Sequence, residues 1–313
     1  MPDIIASDSS ESSPLLVVGS VAFDNVITPQ AEQERILGGA ASYCSFAASY
    51  YTQVRMVGVV GNDFGESDLD RLRARGIDLK GVKKDDSGPT FFWKGKYHEN
   101  FNRRDTLDIR LNVFEKFRPD LPESYNDSSF VLLGNIHPAL QMHVLDQLAG
   151  NSFVLADTID LWIETERESL LSLSKKVSLF AINDSEAEEL TGESNVILAG
   201  KKLRQMGPKS VIIKKGEHGA ILFHEEGMFA LPAYPVTQLH DPTGAGDSFA
   251  GALIGRLSSR NRSDFSAIKE AMLYATCTAS LTVEAFGCER LESAGKSEIE
   301  ERVASLNQLI SVT

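Results

Sequence analysis

The 313-residue sequence predicts an α/β fold, in which helices cover a central and mostly parallel β-sheet. Two observations lead to this fold class. Short apolar runs rich in β-branched residues recur along the chain, and they are continuous rather than alternating, which is typical of strands buried on both faces. Helical patterns lie between several of these runs, and this alternation predicts a parallel sheet covered by helices.

The apolar runs give the predicted strands in chain order. Each run ends at a glycine or a polar residue, and ligands bind beyond such carboxyl ends in parallel sheets. Leu69 and Leu72 share one predicted helical face, and Leu140, Val144 and Leu148 share another. The runs and the residues that end them are Leu15–Val18 with Gly19, Val54–Val60 with Gly61, Phe130–Leu133 with Gly134, Phe153–Leu155 with Asp157, Val177–Ile182 with Asn183, and Val211–Ile213 with Lys214.

Two further segments break the alternation and predict a small β-sheet lid at the edge of the main sheet. Phe91, Trp93 and Tyr97 fall on one face of an apparent strand, which predicts an antiparallel strand with one apolar face. We interpret this face as lid packing or a dimer contact, so dimerisation through the lid stays open. With Val26–Leu37 as the partner segment, the lid would comprise residues from about 26 to 37 and from about 89 to 106.

Composition and charge exclude several classes of protein. The formal net charge of −13, without a run of five Lys or Arg, argues against nucleic-acid binding. Three cysteines without a C-x-x-C pair indicate cytosolic thiols. The N-terminus does not resemble a signal peptide, and no apolar stretch approaches the roughly 18 residues of a membrane span. We therefore expect a cytoplasmic protein with a disordered tail at 1–13 and a single domain at 14–313.

The strongest chemical signal is the segment Asp241–Ala252, which reads D-P-T-G-A-G-D-S-F-A-G-A. A glycine-rich turn opens directly into a helix, whose first N–H groups lack intrahelical partners and form a phosphate site with the helix dipole. Gly244, Ala245 and Gly246 are therefore the predicted anion cradle. Asp247 stands at the positive end of this helix, where its ionised form is favoured and can accept a proton. The simpler interpretation is that Asp247 only stabilises the helix, by about 0.3–1 kcal/mol.

This segment resembles the C-terminal signature of the ribokinase-like (PfkB) carbohydrate and nucleoside kinases. Weaker elements of the same family follow one another in the expected order from about Leu15 onward. They are Gly19–Asp24 for the opening strand and substrate-contacting Asp, Gly38–Ala41 for the di-glycine helix start, Val57–Gly65 for the next strand and turn, Asn183–Glu186 for the N-x-x-E element, and Lys215–Gly219 for the nucleotide-side turn.

The resemblance implies an ATP-dependent phosphotransferase that acts on a hydroxyl of a sugar or sugar-like substrate. Asp247 would be the base, and the Gly244–Gly246 amides would stabilise the transferring phosphoryl group. Members of the family use Mg²⁺ and often K⁺. The implied nucleotide and metal residues are Asn183, Glu186 (on Mg²⁺ through water), Lys215, Gly216, Gly219 and Thr243, with Asp241 and Thr243 in the loop of the monovalent cation.

On the substrate side, the resemblance implies contacts from Asp24, Gly38, Gly39 and Tyr43. The family usually has an asparagine where this chain has Tyr43, and a phenol cannot reproduce the paired donor and acceptor of an amide. Ribose or fructose specificity is therefore not supported. The alternatives are a nucleoside kinase, favoured by Tyr43 and the aromatic lid face, and a non-catalytic relative that only binds or assembles.

Several of these residues also have structural interpretations. Asn183 and Glu186 lie at a helix start that also fits a capping box. Asp157 fits a strand-end acid of the family and a purely structural hydrogen-bonding role equally well. Lys214 and Lys215 are expected to be solvated. Arg103 and Arg104 either clamp an anionic substrate or lie in a solvated loop, which is the simpler expectation.

Overall fold

The computed structural model describes residues 14–101 and 103–311, so the predicted tail at 1–13 lies outside the described residues. The strands are β1 (Leu15–Val18), β2 (Ala22–Ile27), β3 (Glu32–Gly38), β4 (Val54–Val60), β5 (Asp78–Lys84), β6 (Phe91–Tyr97), β7 (Arg104–Arg110), β8 (Phe130–Leu133), β9 (Phe153–Ala156), β10 (Leu179–Asn183), β11 (Ser210–Lys214), β12 (Ala220–His224) and β13 (Gly227–Leu231).

The helices lie mainly between the strands of the main sheet and after its last strand. They are α1 (Ala40–Ala48), α2 (Glu66–Ala74), α3 (Pro138–Leu145), α4 (Asp160–Thr165), α5 (Arg167–Ser174), α6 (Asp184–Thr191), α7 (Val196–Gln205), α8 (Ala245–Arg260), α9 (Phe265–Thr282), α10 (Glu289–Ser293) and α11 (Lys296–Ile310). Within the described ranges, no helix is both long and apolar enough to cross a bilayer.

The main sheet has the order β13-β12-β11-β10-β9-β8-β1-β4-β5. The strands from β11 to β5 run parallel, whereas β12 and β13 are antiparallel at one edge. Leu15 and Val17 belong to the hydrophobic core on one face, and Leu16 and Val18 belong to the core on the other. This confirms the predicted α/β fold, because an apolar run buried on both faces is what a central parallel strand requires.

The position of β1 directs attention to one end of this sheet. β1 lies between β4 and β8, so the chain builds the sheet outward in both directions from it. Ligands bind at such a switch point, beyond the carboxyl ends of the strands. Gly19 and Gly134 follow β1 and β8 there, and the Gly134 amide donates a 2.8 Å hydrogen bond to the carbonyl of Val18.

The small sheet has the order β3-β2-β6-β7, and it adds two features to the prediction. The strand at Phe91–Tyr97 is antiparallel to β7, as predicted, but it runs parallel to its other neighbour, β2. The partner segment is two strands rather than one, and the sheet starts at Ala22 and extends to Arg110. Alternation along a strand reveals which side chains share a face, but it carries no information about the direction of its neighbours.

Candidate active site

The glycine-rich segment forms a tight turn that opens α8. Gly244 precedes the helix with a φ of 76°, a left-handed conformation that glycine adopts without strain. A Cβ at Gly244 would also lie 2.3 Å from the ring of Tyr43. Ala245 donates its N–H to the carbonyl of Pro242 at 3.2 Å, and Ser248 makes the first helical bond, to Gly244 at 2.8 Å. The amides of Gly246 and Asp247 therefore lie at the positive end of α8.

Asp241 holds the preceding loop in shape. Its carboxyl group is fully buried, and one oxygen accepts the Thr243 N–H at 2.9 Å while the other accepts the Gly287 N–H at 3.5 Å. Burial raises the pKa of Asp241, and the hydrogen bonds from Thr243 and Gly287 oppose this effect. Asp241 thus ties the turn before α8 to the segment after α9.

Asp247 shares its surroundings with Asp24, which reaches the site from β2. Burial raises the pKa of Asp247 to about 7, and repulsion from Asp157 adds to this effect. The helix N-terminus was expected to favour the ionised form, but burial outweighs the dipole. Burial raises the pKa of Asp24 to about 8, with further repulsion from Asp241 and Asp247. The fold has therefore gathered four carboxyl groups, those of Asp24, Asp157, Asp241 and Asp247, from three distant parts of the chain.

Gly38 and Gly39 make room for this arrangement. A Cβ at Gly38 would lie 1.9 Å from a carboxylate oxygen of Asp24, so a side chain there would displace the acid. Gly39 precedes α1 with a φ of 87°, and its Cβ would lie 2.5 Å from the Ser20 carbonyl. Both glycines are thus explained by packing, and substrate contact from either of them stays a prediction.

Tyr43 lies against the glycine-rich turn at residues 241–246, called the catalytic turn below for its predicted role, and not in an open cleft. Its side chain is buried on α1 with its ring against Gly244. Among the described residues its hydroxyl has no hydrogen-bond partner. Burial raises the pKa of this phenol, with contributions from Cys288, Asp24 and Asp241. The Tyr43 ring thus packs against the turn that opens α8, and its contact with substrate stays a prediction.

Asn183 and Glu186 form the capping box at the start of α6. The Asn183 side chain accepts the Glu186 N–H at 2.8 Å, and Glu186 Oε2 accepts the Asn183 N–H at 2.9 Å. Burial raises the pKa of Glu186 to about 7, an effect that Lys214 opposes and Asp157 reinforces. The motif is therefore a capping box, as its structural interpretation predicted. In addition, Lys214 and Asp157 at the neighbouring strand ends affect the pKa of Glu186. In the part of the chain that the structure describes, no group of three or more His, Cys, Asp or Glu forms a metal cluster.

Lys214 contradicts the expectation that it is solvated. Its Nζ donates to Asp157 Oδ2 at 2.8 Å, and both side chains are largely buried. A Cβ at Gly246 would lie only 3.2 Å from this Nζ, so the ammonium group lies beside the first turn of α8. The signal was present in the sequence, because Asp157 and Lys214 both follow buried strands of a parallel sheet and must meet at its carboxyl edge.

Lys215, Gly216 and Gly219 form the turn between β11 and β12. The Lys215 N–H donates to the Gly219 carbonyl at 2.7 Å, and both glycines have positive φ angles of 51° and 85°. A Cβ at Gly219 would lie 2.0 Å from the Leu231 carbonyl. The turn itself therefore explains the glycines, and its contact with nucleotide stays a prediction.

The small sheet contacts the catalytic turn through Tyr97. The Tyr97 hydroxyl lies 3.0 Å from Thr243 Oγ1, and its ring packs with Val26 and Ile36. Arg104 pairs with Tyr97 across the β6–β7 ladder, and its charge lowers the pKa of both Asp24 and Asp247 against the larger effect of burial. Sequence reasoning assigned Tyr97 to packing, so it missed that the Tyr97 hydroxyl reaches the site. Arg104 is exposed as expected, but it begins β7 rather than lying in a loop.

Comparison with known proteins agrees with this geometry. The family model described as pfkB family carbohydrate kinase matches residues 14–294. The cytidine kinase of Thermococcus kodakarensis is 30% identical over 252 residues, which cover 78% of this chain and 88% of the relative. This chain is thus similar to a nucleoside-phosphorylating enzyme along most of its length.

Solved structures show the same fold at lower identity. The nucleoside kinase of Burkholderia thailandensis in complex with inosine superposes with a TM-score of 0.79 at 22% identity, over 95% of this chain and 98% of that one. An E. coli protein assigned as ribokinase II, in complex with ATP and Mg²⁺, gives 0.77 at 21% identity, over 94% and 99%. The fold is ribokinase-like, and the chain belongs to the pfkB family of carbohydrate kinases as a phosphotransferase that acts on a hydroxyl group.

Proposed function

We propose that this kinase transfers the γ-phosphoryl group of ATP to a sugar hydroxyl of a nucleoside, with Asp247 as the base. The observation that carries the proposal is the position of Asp247. It stands in the first turn of a glycine-opened helix, where its charge interacts with those of Asp24 and Lys214. A nucleoside is preferred to a free sugar because the cytidine kinase relative is matched over most of both chains.

The chemistry follows from these positions. Asp24 would accept hydrogen bonds from substrate hydroxyls and orient the attacking oxygen toward Asp247. With a pKa near 7, Asp247 is substantially ionised at neutral pH and takes the hydroxyl proton as the new oxygen–phosphorus bond forms. A weak base suffices because phosphoryl transfer passes through a loose transition state in which proton removal is late. Amides at the start of α8 stabilise charge on the phosphoryl oxygens.

The buried acids of the site fit the proposed cations. Glu186 and Asn183 would hold Mg²⁺ through water, and the metal would neutralise charge on the ATP phosphates. Glu186 suits this role because burial makes its own charge unfavourable until a cation arrives. The same argument makes Asp241 and Thr243 candidates for a K⁺ loop, because only neutral donors oppose the burial of Asp241.

The small sheet would act as a lid over this site, on a single domain that spans residues 14–313. Closing such a lid excludes water, which otherwise competes with the substrate for the phosphoryl group. The Tyr97–Thr243 hydrogen bond supports this role because it joins the lid to the catalytic turn.

A substrate panel tests the proposed function. Purified protein with ATP, Mg²⁺ and K⁺ would be offered nucleosides and free sugars, and ADP formation would be recorded. We expect a nucleoside to give the highest kcat/KM. A free sugar in first place would support the carbohydrate-kinase alternative, whereas nucleotide binding without turnover of any acceptor would indicate the non-catalytic one.

We also propose that two copies pair through the lid. Leu107 and Ile109 on the edge strand β7, and Leu111 directly after it, are exposed at alternate positions, and β7 is the last strand in the order of the small sheet. Exposed apolar edges are typical of strands that another chain covers. Light scattering is expected to give a dimer mass for the wild-type protein and a monomer mass for Ile109→Lys.

A further inference from the structure

Lys214 places a positive charge where the helix already provides one. Its Nζ lies beside Gly246, in the first turn of α8, where the unpaired amides and the helix dipole are also positive. The carboxylates of Asp157, Glu186 and Asp247 favour the charge on Lys214 in the free protein. An anion held by the amides at the start of α8 would in addition lie within reach of this ammonium group.

Asp157 is the carboxylate that is hydrogen-bonded to Lys214, while the charges of Glu186 and Asp247 attract the ammonium group as well. An ammonium group has three N–H donors, and one of them serves Asp157 Oδ2. In the described ranges, no second acceptor is hydrogen-bonded to Nζ. Asp157 is itself fixed, because its other carboxylate oxygen accepts the Thr158 N–H at 2.9 Å and its carbonyl accepts from the Gln141 side chain at 3.0 Å. Asp157 thus fixes the position of the Lys214 ammonium group, and two of its three N–H donors remain for a ligand.

Gly246 gives a second, independent indication. It lies within α8 and has no positive φ, so the backbone does not require a glycine at this position. What a side chain would meet is the ammonium group of Lys214, 3.2 Å from the Cβ position. The missing side chain lets Nζ approach the first turn of α8, so the ammonium group lies close to the amides of Gly246 and Asp247.

We propose that Lys214 is a catalytic residue whose ammonium group contacts the phosphoryl group in transit, and that Asp157 is the positioning residue that holds it there. The proposal rests on the proposed kinase function. The bond between the γ-phosphorus and the bridging oxygen of ATP breaks, the bond to the substrate oxygen forms, and the hydroxyl proton goes to Asp247. Lys214 gives up no proton, and it offsets the charge on the non-bridging oxygens.

The ion pair also acts on the base, and its two members act in opposite directions. Asp157 raises the pKa of Asp247 and Lys214 lowers it, while burial is the largest effect. The other ionisable groups that face Asp247 are Asp24 from β2, Arg104 from β7, Cys44 from α1 and Cys288 from the start of α10. Because these stay in place, each half of the ion pair can be removed separately.

Kinetics of Lys214→Met, Lys214→Arg and Asp157→Asn test the proposal, with Lys202→Met on α7 as the matched control. Lys202 also bonds to a carboxylate, Glu193, but on the surface. We expect Lys214→Met to lower kcat by roughly 100-fold or more, as for loss of one transition-state donor. Lys214→Arg should retain more activity than Lys214→Met because the charge is kept. The control should retain wild-type kcat.

The pH profile of kcat/KM separates this role from simple packing. We expect the acid limb to move to higher pH in Lys214→Met and to lower pH in Asp157→Asn. A structural ion pair would instead make both variants less stable and leave both limbs unchanged. The proposal would be overturned if Lys214→Met kept the wild-type kcat, or if the acid limbs of Lys214→Met and Asp157→Asn moved in the same direction.

A binding measurement tests the role of Lys214 even if the proposed nucleoside acceptor is wrong, because it needs no acceptor. Affinities for ADP and for a non-hydrolysable ATP analogue would be measured by calorimetry on wild type, Lys214→Met and Lys214→Arg. We expect Lys214→Met to weaken the analogue by about tenfold and ADP hardly at all, a difference of about 1.4 kcal/mol. A Lys214 variant that folds but loses equal affinity for ADP and for the analogue would refute a contact with the transferred phosphoryl group. This conclusion does not depend on the acceptor.

Discussion

Replacing Asp24 with asparagine is expected to stabilise the free protein while weakening its reaction with substrate. Asp24 is almost completely buried, and burial raises its pKa to about 8. The native carboxyl group therefore keeps a proton that the unfolded chain gives up above about pH 4. The protonated Asp24 therefore makes its full contribution to the free energy of unfolding below about pH 4, and this contribution is lost as the pH rises toward 8. An amide has the same shape and no such proton.

The size of the gain follows from the two pKa values. Each pH unit above the unfolded-state pKa of about 3.9 lowers the free energy of unfolding of the Asp24 protein by about 1.4 kcal/mol, up to the native pKa. The substitution would then add up to roughly 1.5 kcal/mol to the free energy of unfolding at pH 5 and up to about 4 kcal/mol at pH 7. Water that reaches the ionised acid would reduce this cost, so we expect the gain in the free energy of unfolding to differ between the two pH values by about 1–3 kcal/mol.

Urea unfolding of the ligand-free protein at pH 5 and pH 7 measures this difference. Asp86→Asn is the matched control, because Asp86 is exposed and its substitution should change stability by less than about 0.5 kcal/mol. The kcat/KM of Asp24→Asn should fall, since an amide places an NH2 donor where a carboxylate has its second acceptor oxygen. A gain of equal size at both pH values, or a loss at pH 7, would refute the electrostatic explanation.

Three other substitutions test the catalytic turn and the lid. Asp247→Asn should remove nearly all turnover and leave ATP affinity within about threefold, because the base is lost and the amides remain; a near-normal kcat would exclude Asp247 as base. Gly246→Val should lower ATP affinity and kcat together, since its side chain would fill the phosphate site; titration and turnover at wild-type levels would contradict the cradle. Tyr97→Phe removes the bond to Thr243, worth about 0.5–1.5 kcal/mol, and should raise ATP hydrolysis without acceptor relative to transfer; an unchanged ratio would argue against the lid.

The main sheet could be predicted because its signal is local. Leu15–Val18 is continuous and apolar, and such a run has few stable places other than a strand covered on both faces. The small sheet was only partly predictable. Its strand at Phe91–Tyr97 alternates visibly, but the parallel pairing with Ala22–Ile27 depends on how the intervening chain crosses the molecule. Nothing within either segment specifies that crossing.

The same distinction separates the predicted and missed parts of the site. Gly244 and Asp247 lie within one turn of each other, so their spacing alone predicts an amide cradle beside a carboxylate. Lys214 meets Asp157 across 57 residues of chain, and Tyr97 meets Thr243 across 146. Lysine and tyrosine are common on surfaces, so their residue types did not reveal these contacts. The contact between Lys214 and Asp157 could have been predicted, because both residues follow strands of the parallel sheet. The contact between Tyr97 and Thr243 could not, because it depends on where the lid lies.

The buried acids explain why such a site costs stability until it is occupied. Burial raises the pKa of Asp24, Asp247 and Glu186, so each resists ionisation in the free protein. The proposed reaction would need a charged Asp247 at neutral pH, and a hydrated Mg²⁺ would bind the charged form of Glu186 better than the protonated one. Substrate hydroxyls and cations supply the partners that burial has removed, and they bind only the folded protein. Ligands should therefore stabilise this protein more at pH 8 than at pH 6, because more of the unfavourable charge is then present for them to relieve.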